Sequence, residues 1–132
     1  NNKNKDNDKI VTYINAFQQI SQQFAFLYGK YDYYTAMSEF VEGLYMGGDS
    51  SAARALTDKI AEAYRERLSI IARFDPERQR QLEDRIVDEI KGYRTLLLYV
   101  NLYDSPEALE KREQQMDSSM RDLTLFQEII DD

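Results

Sequence analysis

Apolar positions recur along this chain at steps of three and four, with polar positions between them. From residue 10 the apolar series runs Ile10, Tyr13, Ile14, Phe17, Ile20, Phe24, Leu27, Tyr31, Tyr34, Met37, Val41, Leu44 and Tyr45. Such spacing lines up one face of an α-helix, because 3.6 residues complete each turn. Asn7 or Asp8 can cap the start of this helix. Gly47-Gly48 can end it, since glycine readily takes the left-handed conformation that closes a helix. Gly29 is an interior weak point where the helix can bend, about 1 kcal/mol poorer than alanine.

Three more periods follow. Ala53, Leu56, Ile60, Ala63, Tyr64, Leu68, Ile71 and Phe74 form a second face, opened by Asp49-Ser50-Ser51. Leu82, Ile86, Ile90, Tyr93, Leu97, Val100 and Tyr103 form a third, and Leu109, Met116, Met120, Leu123, Phe126 and Ile130 a fourth. The third opens on Asp75-Pro76-Glu77 and the fourth on Ser105-Pro106-Glu107. In both, a capping side chain precedes a proline whose missing N–H is not needed in the first turn. An acid then follows at the positive end of the helix dipole. The pattern predicts helices over about 9–46, 50–74, 76–103 and 105–130. Connections this short make successive helices antiparallel neighbours. The expected fold is all-α: an up-down-up-down antiparallel four-helix bundle with a long first helix. It forms a single domain over residues 9–132 behind a flexible polar tether, residues 1–8.

The first helix differs from the rest. No charged residue occurs between Ile10 and Gly29; the polar positions carry amides and hydroxyls instead. With Phe17, Phe24 and Tyr31 at heptad position a, Leu27, Tyr34 and Val41 fall at d, and Phe26, Tyr33 and Phe40 recur at c. Met37 and Leu44 fall at g. The c position lies away from the a/d seam, so this segment is apolar over two faces, and a helix with two apolar faces is buried on both. Ten of the sixteen aromatic residues lie between Tyr13 and Tyr45. Tyrosine and phenylalanine suit protein interfaces because they bring large apolar area at low entropic cost. A bent first helix wrapping the bundle would bury both stripes internally; the favoured expectation is an interaction surface of Phe26, Tyr28, Tyr33, Phe40 and Tyr45, where a protein, self or other, docks on the first helix.

Composition narrows the chemistry. The chain has 132 residues, no Cys and no His. A thiolate metal site, a disulfide framework, a cysteine nucleophile and a histidine base are all excluded. Carboxylate pairs at four-residue spacing, Glu62/Glu66 and Asp84/Asp88, share helix faces, but a di-metal bundle would need Glu-x-x-His motifs beside them. Gly47-Gly48-Asp49-Ser50 precedes a helix but lacks the lysine of a phosphate loop. No catalytic residue, metal ligand or cofactor site is expected, and the chain is not expected to be an enzyme.

Lys and Arg number 17 against 24 Asp and Glu, a net charge of −7, which repels nucleic acid. Charge is uneven. Arg73, Arg78 and Arg80 make the turn between the second and third helices a basic tip that could hold an anion or an acidic partner, whereas residues 105–132 are strongly acidic. No apolar run reaches the roughly 20 residues of a membrane span.

The expectation is a non-catalytic helical interaction module that forms a homo-oligomer through its first helix. The polar tether and the lack of Cys favour an extracytoplasmic setting, as in a bacterial lipoprotein. The expected architecture also resembles the four-helix extracytoplasmic domains of bacterial chemoreceptors and sensor kinases. That resemblance spans the whole chain but carries no shared motif, and it implies a ligand-binding sensor domain as the alternative. A small cytosolic adaptor or secretion chaperone is a third reading.

Overall fold

The computed structural model describes Thr12 and residues 31–131; at 31–35 and 128–131 it describes helical backbone alone. The described residues hold six α-helices and no strand: α1, Tyr31–Met46; α2, Ser50–Ala72; α3, Pro76–Gln81; α4, Glu83–Tyr103; α5, Pro106–Arg121; and α6, Thr124–Asp131. The all-α class is as the periodicity predicts. The start of the first helix, its bend at Gly29, and Phe26 and Tyr28 lie outside the described residues. The chain divides into two compact units, Asn1–Ile60 and Ala61–Asp132, with the boundary inside α2.

In the first unit, α1 closes on glycine as its sequence predicts. The Asp49 N–H donates to Leu44 O (2.9 Å) and the Gly48 N–H to Tyr45 O (3.0 Å), the paired bonds of a Schellman turn. Gly48 sits at φ +84°, a conformation that costs an L-residue about 1–2 kcal/mol. Asp49 then caps α2, its Oδ1 accepting from the Ala52 N–H at 3.3 Å. Met37, Val41, Leu44 and Tyr45 of α1 are buried, as are Ala52, Ala53, Leu56 and Ile60 of α2. Ser38 and Thr57 are buried among them; Thr57 Oγ1 donates to Ala53 O at 2.7 Å, which satisfies its hydroxyl within its own helix.

In the second unit, both proline-headed starts form as predicted. Asp75 Oδ1 accepts from the Arg78 N–H at 2.9 Å, and Ser105 Oγ accepts from the Ala108 N–H at 3.2 Å. Here α4 lies along α5, α3 meets α4 and α6, and α5 meets α6. The core consists of Tyr64, Leu68 and Ile71 from α2, Ile86, Tyr93, Leu96, Leu97 and Val100 from α4, Met120 from α5, and Leu123 just beyond it.

Three helix boundaries differ from the expected ones. The second helix stops at Ala72 rather than 74, where the Arg73 and Phe74 N–H groups bond to Ile70 O and Ile71 O in tighter i→i−3 geometry. The expected third helix is interrupted at Leu82, whose N–H is shared between Arg78 O (3.2 Å) and Gln79 O (3.0 Å), a bifurcated bond typical of a helix end. The expected fourth helix stops at Arg121 and resumes at Thr124. Leu123, in that break, is fully buried. The Thr124 N–H, an orphan donor at a helix start, is taken by Gln79 Oε1 at 2.8 Å, from 45 residues away.

Candidate interaction surfaces and the buried polar cluster

The expected interaction surface is divided by the structure. Tyr33 lies in α1. Phe40 is half-buried, on the shoulder of the face that buries Met37, Val41 and Leu44. Tyr45 is only 6 % exposed and belongs to the core of its unit, not to a free surface. The heptad explains why. Tyr45 follows Ser38 at position a, and both are buried together with Val41 at d. Met37 and Leu44 at g, members of the apolar series read from the three-and-four spacing, are buried too.

Of the basic tip, Arg73, Arg78 and Arg80 are all exposed, at the α2–α3 connection and along α3. The Arg78 guanidinium lies over the Phe74 ring, 4.6 Å from its centroid. Beneath the tip lies a residue that sequence reasoning passed over. Gln79 is buried; its Nε2 donates to Ala72 O (3.3 Å) and Phe74 O (2.9 Å), while its Oε1 receives the Thr124 N–H. One side chain thus ties the end of α2, the turn and the start of α6. Nothing local in the sequence distinguishes Gln79 from Gln81, because its partners come from three separate places in the chain.

A second polar cluster joins α2 to α4 within the same unit. The Tyr64 and Tyr93 rings stack with centroids 5.5 Å apart and planes at 18°. Arg67 lies over the Tyr64 ring at 4.8 Å, and its Nε donates to Glu89 Oε2 at 2.8 Å. Arg65 Nη1 donates to the Tyr93 hydroxyl at 3.2 Å. Glu89, Tyr64 and Tyr93 are buried. Gly92 makes the room: a Cβ there would fall 2.8 Å from Tyr64 Cζ. Part of this cluster was visible in the sequence, since Glu89 falls three residues after Ile86 on the apolar face of its helix. A charge in that register needs a partner. Among the described residues, every buried side-chain N or O atom has a hydrogen-bond partner. The Arg67–Glu89 and Arg65–Tyr93 bonds both join α2 to α4.

The carboxylate pairs Glu62/Glu66 and Asp84/Asp88 are all exposed. Among the described residues no group of acidic side chains stands where it could hold a metal ion, and no helix is long and apolar enough to cross a membrane.

Two apolar surfaces remain on α4. Leu98 (50 % exposed) and Leu102 (59 %) lie one turn apart, followed by Tyr103 (39 %). Toward the start of the same helix a groove of about 330 Å³ is bounded by α4, the end of α5 and α6. Val87, Lys91, Arg94, Leu98 and Leu102 follow one another at steps of three and four, so groove and leucines share one row of α4. Compared with protein families, curated proteins and solved structures, the chain matches none.

Proposed function

We propose that the chain is a non-catalytic helical interaction module, built as an up-down-up-down four-helix bundle, that associates with copies of itself. The observation that carries this reading is the exposed apolar end of α4, where Leu98, Leu102 and Tyr103 face solvent within two turns. Burying one such leucine is worth about 1.5–3 kcal/mol, so a surface that groups them favours association. The sequence of the first helical segment adds a second surface. Phe26, Tyr33 and Phe40 recur seven residues apart with Tyr28 beside them, and Phe40 retains part of its surface in the folded chain.

Light scattering as a function of concentration tests the reading. The wild-type chain is expected to rise above the protomer mass. Leu98→Glu/Leu102→Glu is expected to return it to the protomer with unchanged helix content, and Phe40→Glu to weaken the association. A wild-type chain that stays monomeric at the highest soluble concentration would overturn the proposal.

A further inference from the structure

The α4 groove has the composition of a ligand site. Its floor is Ile86, Met120 and Leu123, all buried, and its walls include Val87, Ile90 and Phe126, which are half-buried. Among the described residues, the polar groups lining it are Lys91 and Arg94, both exposed and both cationic. Among the described residues no carboxylate lines it, in a chain that carries seven more acidic than basic residues. Neither the Lys91 ammonium nor the Arg94 guanidinium has a hydrogen-bond or ion-pair partner among the described residues. Elsewhere in the same unit, Arg65 and Arg67 are engaged by Tyr93 and Glu89. Lys91 and Arg94 are one helical turn apart on the row that begins with Val87, so both charges stand at one side of an apolar trough.

We propose that this groove binds a single-chain fatty carboxylate, with the alkyl tail against Ile86, Val87, Ile90 and Phe126 and the carboxylate held by Lys91 and Arg94. The apolar lining supplies the affinity for the tail. Arginine offers a carboxylate two parallel N–H donors, and lysine adds a mobile point charge beside it. A volume of about 330 Å³ lies at the small end of the range for ligand pockets. It suits one chain better than a docked helix, whose body is about 10–12 Å across and would also cover Leu98 and Leu102. The proposal is independent of self-association, which rests on those two leucines.

Calorimetric titration with dodecanoate below its micellar concentration tests the site. One saturable equivalent per chain is expected, with dodecanol weaker and dodecyltrimethylammonium failing to compete. Lys91→Gln/Arg94→Gln alters two exposed side chains and is expected to keep the helix content while weakening dodecanoate by about tenfold or more. Val87→Glu, which places a like charge in the trough, is expected to abolish binding. The proposal is overturned by any of four results: no saturable heat; equal binding of the cationic amphiphile; binding unaffected by Lys91→Gln/Arg94→Gln; or binding to anionic phospholipid vesicles but not to dodecanoate. It is equally overturned if light scattering shows that Lys91→Gln/Arg94→Gln dissociates an oligomer in the absence of amphiphile, since the groove would then be occupied by a second copy.

Discussion

Gly92 shows how one residue can reverse a general rule. In the interior of a helix, replacing glycine by alanine stabilises by about 1 kcal/mol. Here the added methyl meets the Tyr64 ring, which is stacked on Tyr93 and covered by Arg67. Overpacking a filled site costs about 1–3 kcal/mol, so Gly92→Ala is expected to lower the urea midpoint rather than raise it. Its neighbour Glu89 behaves differently. Glu89→Ala removes the acceptor from Arg67 Nε and is expected to cost about 1.5–3 kcal/mol, toward the lower figure because Arg67 keeps some access to water. Urea unfolding of the two variants beside the wild type measures both.

At the scale of elements, the helices are set by caps that the sequence announces and by one staple that it does not. Asp75 and Ser105 each satisfy a first-turn N–H, and Asp75→Ala or Ser105→Ala is expected to cost about 1 kcal/mol. Gln79 acts across the chain instead. Gln79→Ala leaves Ala72 O, Phe74 O and the Thr124 N–H without their partner, an expected loss of about 1–3 kcal/mol. That loss should be concentrated at α6. Amide exchange at Thr124 is expected to accelerate far more than exchange in the middle of α4, whereas a change spread evenly over both helices would contradict the role assigned to Gln79.

For the whole molecule, the proposed self-association has two candidate drives: apolar contact through α4, and charge pairing between the basic tip and the acidic C-terminal segment. They respond oppositely to salt. Exposed ion pairs are screened over about 8–10 Å at ordinary ionic strength, while sulfate strengthens apolar burial. If Leu98 and Leu102 carry the association, the oligomer mass is expected to persist as sodium chloride is raised and to be reinforced by sulfate. Loss of the oligomer in sodium chloride would instead assign it to Arg73, Arg78 and Arg80 against the acidic tail.

The sequence by itself determined the helical class, the Schellman stop at Gly48 and the two proline-headed starts, because each depends on side chains within a few residues of the backbone groups they satisfy. Only the tertiary structure decided the place of Tyr45, which the sequence counted both in the apolar series of α1 and in the expected interaction surface, because burial depends on which distant side chains pack against it. Tyr45 sits inside with Met37 and Leu44, while Phe40 sits at the edge. The Gln79 staple, the seat of Tyr64 on Gly92 and the groove between Lys91 and Phe126 likewise came from packing. Each joins residues between 28 and 45 positions apart, and no local preference encodes which distant helix a side chain will meet.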